Sequence, residues 1–173
     1  MKHLFKKLFQ LFKAFPKKTF SVSKIWNQYL VHRDPSLLSE KEAKDLSLVI
    51  FEMGSLAQNA RNESEAEAYY LEALDIIKKS KANNPNTMIM IQNNLGRLYD
   101  ILDKHDKSLI CLEGVRNMIE EIPNFIDFDC VRVRNLFFTS TVLLKQGKLD
   151  QEAELLNKTI TAIDNDPNAP QLI

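Results

Sequence analysis

Two stretches of this chain, 42 residues apart, share one pattern of small, apolar and aromatic residues. Each has a glycine followed at offsets of 12, 16 and 19 by three further residues: Gly54, Ala66, Tyr70 and Ala73 in the first, and Gly96, Ser108, Leu112 and Val115 in the second. The spacing predicts a pair of packed helices in each stretch. The glycine lets the second helix approach through its own small residue, and Tyr70 or Leu112 fills the space beside it.

The residues around the second glycine, Asn93-Asn94-Leu95-Gly96-Arg97-Leu98-Tyr99, complete a recognisable pattern. An apolar residue, Leu, Gly and Tyr, followed by Ala, Tyr and Ala in the next helix, resembles the tetratricopeptide repeat. A period of 42 residues, longer than the usual ~34, resembles the variety found in kinesin light chains. The resemblance implies an all-α protein, a right-handed superhelix of about three antiparallel helix pairs in units near 47–80, 89–120 and 134–165.

The third unit has two candidate registers. Residues 146–156 read like the turn and second helix of such a unit, with Ala153 as the small packing residue. Counting back from Ala153 places Thr141 where the packing glycine belongs, whereas counting back from Gly147 places Ser140 there. The third unit therefore carries an insertion or bends.

Capping signals and apolar periodicity predict six helices. Five cover about 40–60, 63–80, 87–103, 127–146 and 150–164, and the fourth in order lies between a turn at Lys104-His105-Asp106 and Pro123. Ser39 with Glu42, and Asn62 with Glu65, read as helix starts. The side chains predicted to face the core are Leu46, Ile50, Met53, Ala57, Ala60, Ala66, Tyr70, Ala73, Leu74, Ile77, Ile91, Leu95, Leu98, Leu102, Ser108, Leu112, Val115, Ile119, Val133, Leu136, Phe137, Leu144, Ala153, Leu156, Ile160 and Ile163. The helical repeats then occupy residues 39–165, and 166–173 form a tail.

The first 15 residues form the pattern of a basic amphipathic helix. At ~100° per residue, one face carries Leu4, Phe5, Leu8, Phe9, Leu11, Phe12 and Phe15, and the other carries His3, Gln10, Lys2, Lys6, Lys7 and Lys13. Four interpretations compete: an anchor on an anionic membrane surface, a helix that docks on the repeats and caps the stack, a mitochondrial presequence, and a helix bound by a calmodulin-like partner.

Charge sets this N-terminal arm apart from the rest of the chain. Residues 1–33 carry seven Lys and Arg33 with no acid, a net charge of +8, whereas the remaining 15 basic and 23 acidic residues sum to −8. Such a split indicates an arm with its own partner. Residues 16–38 follow as a linker with one short helix over 21–31 that contains Trp26.

The resemblance also implies a binding surface, because the first helix of each tetratricopeptide pair lines a concave groove. The matching positions are Leu48, Phe51, Ser55, Asn59, Met90, Asn93, Arg97, Asp100 and Asn135, with Phe138 and Val142 further along the third unit. It further implies that Asn93 holds the backbone of an extended peptide, since one amide side chain offers a donor and an acceptor. Arg97 is placed to meet a carboxylate. The same side chains also suit a merely solvated helix face.

The residues of the first groove helix argue against one of the ligand-binding modes that the family is known to use. The carboxylate clamp of cochaperones requires Lys and Asn at positions that Phe51 and Ser55 occupy here. A ligand with an apolar anchor is therefore the better expectation.

No pattern in the sequence predicts catalysis, a cofactor or a metal site. His3, His32 and His105 are scattered, and no phosphate-binding loop, dinucleotide motif or nucleophile elbow occurs. The one-sided phenylalanines of the arm suit an apolar surface better than stacked bases, which argues against nucleic acid. Two cysteines inside predicted helices indicate reduced thiols in the cytoplasm, and no apolar run approaches the ~18 residues that span a membrane.

These observations favour a non-catalytic scaffold or adaptor that binds a protein or peptide and is tethered to a membrane surface by residues 1–15. Two alternatives stay open. In the first, the protein is a soluble adaptor whose N-terminal helix docks on the repeats or mediates self-association. The second, a peptide-sensing regulator of the quorum-response type, needs an output domain, and residues 16–45 contain no helix-turn-helix pattern. Three units are near the minimum for a stable stack, so a homo-oligomer or larger assembly is a further expectation.

Overall fold

A computed structural model describes residues 34–80, 84–121 and 128–164. These residues form a short 3-10 helix, Pro35–Leu37, and six α-helices with no strand: α1 Glu40–Asn59, α2 Glu63–Lys79, α3 Pro85–Ile101, α4 His105–Glu121, α5 Phe128–Lys145 and α6 Leu149–Asp164. The predicted all-α class is confirmed. None of these helices combines the length and apolar character needed to cross a membrane. The predicted helix 1–15, the linker up to residue 33 and the tail 166–173 lie outside the described residues.

Side-chain caps define where the first three helices begin. The Ser39 Oγ accepts a hydrogen bond from the Glu42 N–H at 3.3 Å, and the Glu42 carboxylate accepts one from the Ser39 N–H at 3.0 Å. Asn62 caps α2 through the Glu65 N–H, and Asn84 caps α3 through the Thr87 N–H. These bonds satisfy N–H groups that have no partner within the helix, so each helix starts where its cap stands.

The same tight turn joins the two helices of each pair. Arg61, Asp103 and Gly147 adopt positive φ angles of 56°, 55° and 68°. The N–H of the next residue then bonds a carbonyl five residues back: Asn62 to Ala57 at 2.9 Å, Lys104 to Tyr99 at 2.8 Å and Lys148 to Leu143 at 2.9 Å. This is the Schellman end of a helix.

The turn residues fix the register of the three pairs. Their separations are 103 − 61 = 42 and 147 − 103 = 44 residues, so the third pair is displaced by two residues from the period of the first two. Of the two registers that the sequence left open, the one counted from Gly147 agrees with the turn. Ser140 is the equivalent of Gly54 and Gly96, and Glu152 is the equivalent of Ala66 and Ser108.

Close contacts at the two glycines hold the first two pairs together. A Cβ added to Gly54 would lie 2.6 Å from the Tyr70 ring, and one added to Gly96 would lie 2.9 Å from the Leu112 side chain. Residues that lie further along α1 contact residues that lie earlier in α2. In the first pair the Ser47 hydroxyl bonds the Ala73 carbonyl at 3.0 Å, while Tyr70 meets residues nearer the turn, so α1 and α2 are antiparallel.

In the second pair, the Ser108 hydroxyl donates to the Gly96 carbonyl at 2.7 Å. Ala66, its equivalent in the first pair, is fully buried, as is Ala73. Tyr99, at the end of α3, is buried with the ammonium groups of Lys104 and Lys107 about 5.5 Å from its ring. The small residues therefore sit where two helices touch.

The pairs stack so that α1, α3 and α5 lie side by side. Contacts join α1 to α3, α3 to α5, α2 to α3, and α4 to α5. The largest apolar core spans α1 to α3 and includes Leu46, Ile50, Tyr70, Leu95 and Leu98. A smaller cluster of Ile89, Val115 and Ile119 joins α3 to α4.

The apolar face predicted for α5 is wrong. Val133, Phe137 and Leu144 are exposed, and α5 buries a different set: Asn135, Thr139, Val142 and Leu143. This set is displaced by 44 residues from Ile91, Leu95, Leu98 and Tyr99 of α3, in agreement with the turns. Helix α5 has apolar residues on all sides, so the hydrogen bonds of Asn135, and not apolar periodicity, select the face that packs.

The face predicted for α6 is also wrong. Ala153, predicted to be the small packing residue, is exposed, as are Leu156 and Ile160. The two-residue displacement puts Glu152 at that position instead, and a glutamate cannot enter the contact that Ala66 and Ser108 make. Ala60, also predicted to be buried, caps α1 and is exposed.

Candidate partner-binding surface

The side-by-side helices α1, α3 and α5 carry the positions predicted to line a groove, but four of those positions, Phe51, Asn93, Asn135 and Val142, are buried. The Phe51 ring packs on Tyr70 with ring centroids 5.5 Å apart. The Asn135 amide donates to the Asn93 Oδ1 at 3.1 Å and to the Leu112 carbonyl at 2.9 Å. Phe51, Asn93 and Asn135 are all at most 6% exposed.

This burial corrects the role that the resemblance implied for Asn93. A side chain that holds a ligand's backbone must be open to the ligand, whereas Asn93 is covered by α5 and already bonded to Asn135. Its role in the structure is to join the second pair to the third. Val142, predicted to lie near the groove in the third unit, is fully buried as well.

The remaining predicted positions are at least partly open to solvent. Arg97 and Asn59 are exposed, and the partly buried positions are Leu48, Ser55, Met90, Asp100 and Phe138. Next to Met90, the Asn94 amide is occupied by the Met90 carbonyl at 2.9 Å. We call the open residues Leu48, Ser55, Met90 and Arg97 of α1 and α3 the groove face.

Arg97 lies beside a polar cluster that Gly54 makes possible. Because Gly54 has no side chain, the Tyr70 ring of α2 extends along α1, and its hydroxyl donates to the Gln58 Oε1 at 2.8 Å, with the Ser55 Oγ 3.4 Å away. Burial raises the pKa of Tyr70, and the Ser55 contact and the nearby positive charge of Arg97 oppose that rise. The Gln58 amide nitrogen is buried without a hydrogen-bond partner.

Arg97 is available for an anionic ligand. Within the described parts of the chain, it makes no ion pair with a carboxylate. A guanidinium group offers several donors in one plane and suits a carboxylate or phosphate oxygen. The half-buried Leu48 and Met90 supply apolar surface on the same two helices.

Asp100 differs from Arg97 because its carboxylate is already occupied. Lys145 of α5 donates to both of its oxygens, at 2.9 and 2.8 Å, and the His105 Nδ1 lies 3.4 Å away. With the Gln146 amide bonded to Asp106 at 3.1 Å, these contacts fasten the end of α5 to the α3–α4 turn. Asp100 therefore has a structural role in addition to the groove position that was predicted for it.

Sequence reasoning missed a second concave surface between α4, α5 and α6. Its cavity has a volume of about 760 Å³. Its lining combines apolar side chains, Leu109, Ile119, Leu136, Leu143 and Leu155, with ionic ones, Glu113, Arg116, Glu120, Arg132, Glu154 and Lys158. The sequence signal for this surface is the two-residue displacement of the third pair. It places Glu152 where the first two pairs have a small residue, and the glutamate separates α6 from its neighbours.

The described residues contain no cluster of His, Cys, Asp and Glu able to hold a metal ion. Cys111 is a free, partly buried thiol whose pKa is raised by burial, with Lys78 and Lys107 opposing the rise. Polar and apolar groups suited to binding are present on the groove face.

Comparison with known proteins returned no match, whether against family models, curated proteins or solved structures. The geometry of the chain itself is therefore the basis for the function proposed below.

Proposed function

We propose that this chain is a tetratricopeptide-like scaffold that binds a peptide or protein on its groove face without catalysing a reaction. We also propose that its three helix pairs form a right-handed superhelix. The observation that carries the proposal is the exposed Arg97, which makes no ion pair with a carboxylate within the described residues and lies on the same helix as the half-buried Met90. Repeated pairs with one layer of exposed first helices typically present extended binding surfaces.

The groove face favours a ligand of particular chemistry. Arg97 suits an acidic side chain, and Leu48 and Met90 suit an apolar anchor a few residues away. Ser55 and Asn59 add hydrogen-bonding capacity along α1. An extended acidic peptide with one or two large apolar residues combines these features.

A peptide selection tests this proposal. We expect a random-peptide display library, panned on the full chain, to enrich acidic sequences that contain Leu, Ile or Phe. Arg97→Ala should weaken the binding of a selected peptide at least about tenfold, because a hydrogen bond to a charged group contributes about 1.5–3 kcal/mol. The matched control is Arg61→Ala, which removes an exposed arginine from the α1–α2 turn and should leave the affinity unchanged.

Two binding results and one catalytic result would count against the proposal. One is the absence of any enriched acidic peptide after selection. The other is equal loss of affinity in the Arg97 and Arg61 variants, which would indicate attraction by overall charge instead of a site. Turnover in a broad metabolite screen would point to an enzyme.

The predicted membrane tether stays a prediction, because residues 1–15 lie outside the described structure. It rests on the segregation of lysines from leucines and phenylalanines in that segment. Co-sedimentation with phosphatidylcholine and phosphatidylserine vesicles, with and without residues 1–15, measures it directly. The competing interpretation is that this segment docks on the repeats.

A further inference from the structure

The last helix pair exposes an apolar surface at the end of the stack. On α5, Val133 is 59% exposed, Phe137 65% and Leu144 51%. Their spacing of four and seven residues places all three within about 40° on one side of the helix. We call these three residues the end face.

The positions equivalent to Val133 and Phe137 are buried in the first two pairs, partly by the second helix of the same pair and partly by the first helix of the next pair. Allowing for the displacements of 42 and 44 residues, Phe137 corresponds to Asn93 and Phe51, and Val133 corresponds to Ile89 and Ser47. All four of these counterparts are at most 6% exposed. Asn93 is covered by α5, to which it is hydrogen-bonded, and α3 packs against α1. The end face therefore has the form of a site for one more helix.

One segment of the chain outside the described residues carries the pattern that such a helix needs. Helix α3, which covers the first pair, presents Ile91, Leu95, Leu98 and Leu102 at spacings of four, three and four residues. Residues 1–15 repeat those spacings with four large apolar residues: Leu4, Leu8, Leu11 and Phe15. The segment would bury its apolar stripe and leave its lysines in solvent.

The chain is long enough for this contact to form within one molecule. Eighteen residues, 16–33, separate the segment from Asp34, which precedes the 3-10 helix that packs on α2. An extended chain of that length spans up to about 60 Å. Three layers of helices at ~10 Å each require about 30 Å. The net charges of +8 on residues 1–33 and −8 on the remainder favour the approach.

We propose that residues 1–15 form a helix that packs on the end face, in the place of the first helix of a fourth pair. This inference rests on the repeat arrangement in the proposed function, but it is independent of what binds at Arg97. It also means that the apolar stripe of residues 1–15 contacts either the end face or a membrane surface, because the same leucines and phenylalanines cannot bind both at once.

Hydrogen exchange in the full-length chain tests the proposal. Leu8→Glu places a charge in the centre of the predicted stripe, and we expect it to accelerate exchange of the α5 amides about tenfold. Phe137→Glu should have the same effect, and the double variant should add little to either. The control, Ile110→Glu, alters an exposed apolar residue of α4, a helix that contributes no residue to the end face, and should leave α5 exchange unchanged.

Three results would overturn the proposal. Unchanged α5 exchange in Leu8→Glu would mean that the segment does not cover the end face. If the protection of the α5 amides from exchange decreases when the protein is diluted, a second copy of the chain supplies the covering surface. Wild-type binding to phosphatidylserine vesicles that leaves α5 exchange unchanged would assign the segment to the membrane alone. Binding of the selected peptide by Leu8→Glu, measured alongside, reports on the groove face separately.

Discussion

At the scale of single residues, the contacts at Gly54 and Gly96 determine how closely the paired helices approach. Both glycines adopt ordinary helical angles, so the need for glycine comes from space and not from backbone conformation. The third structurally equivalent position is Ser140, whose hydroxyl is buried without a hydrogen-bond partner. Helices α5 and α6 pack less extensively than the helices of the first two pairs, in agreement with the poorer fit at this position.

Alanine at Gly54 should destabilise the protein. The added Cβ would lie 2.6 Å from two Tyr70 ring atoms, and the ring is held by its bond to Gln58. Overpacking of this kind costs about 1–3 kcal/mol. Gly114→Ala is the matched control, because its Cβ would meet only the Gln92 Oε1 at 3.4 Å. It should be neutral or stabilise by up to ~1 kcal/mol through helix propensity. Urea unfolding of both variants measures the difference, and equal losses would contradict the packing argument.

Asn135 should contribute more to the free energy of unfolding than its polar side chain suggests. Replacing it with alanine leaves the Asn93 Oδ1 and the Leu112 carbonyl without the donor that they share. Buried acceptors left without a partner cost about 1–3 kcal/mol. The control Asn157→Ala removes an exposed amide from α6. Thermal melts of both variants check this expectation, and equal melting temperatures would mean that water replaces the lost bonds.

At the scale of helices, local signals in the sequence predicted most of the boundaries. The predicted ranges differ from the observed ones by a few residues at most, because caps such as Ser39 and Asn62 act within one turn of helix. The Gly54 and Gly96 contacts were also readable, since each involves a fixed offset within one helix pair. Both kinds of signal depend only on residues that are close in sequence.

The face of α5 could not be predicted because its partner lies far away in sequence. Apolar residues occur all round this helix, so periodicity selects no side. The side that packs is selected by Asn135, whose bond to Asn93 joins residues 42 positions apart. The same reasoning explains the error at the groove. Asn135 lies at the assumed 42-residue spacing from Asn93, but in the observed 44-residue register it is the counterpart of the buried Ile91, so the two amides bond each other.

The ion pair between α2 and the α3–α4 turn should weaken in acid. The Lys104 Nζ donates to the Glu67 carboxylate at 2.8 Å, and this bond is the main reason that the pKa of Glu67 lies below its ordinary 4.5. A lowered pKa in the folded state stabilises the fold above pH 4.5, and that stabilisation is lost as the pH falls through the folded-state pKa.

Lys104→Ala should therefore cost about 0.5–1 kcal/mol at pH 7, and less at pH 3. Lys107→Ala is the matched control. Both ammonium groups lie about 5.5 Å from the Tyr99 ring, but only Lys104 bonds to Glu67. Urea unfolding at the two pH values should show a larger pH dependence for the Lys104 cost than for the Lys107 cost. The same Lys104 cost at pH 3 and pH 7 would argue against a role for the Glu67 charge.

At the scale of the whole molecule, stability should fall from the first pair to the last. Helix α2 packs against both α1 and α3, and the core of large buried side chains lies among the first helices. Helix α6 packs chiefly on α5, and many of its apolar side chains are exposed. Both the first and the last pair lack a neighbour on one side, and the last pair buries fewer apolar side chains, so it opens with the lower free energy.

Hydrogen exchange resolved by helix should reveal this gradient in the wild-type protein. We expect α6 amides to exchange at least about tenfold faster than those of α2, with α5 between them, because opening α6 exposes little buried apolar surface. Leu156→Ala should change α6 exchange little, since that side chain is already partly in solvent, whereas Tyr70→Ala should accelerate exchange throughout α1 and α2. Equal protection of α2 and α6 would contradict the gradient, because it would require the whole chain to open as a single cooperative unit despite the loose third pair.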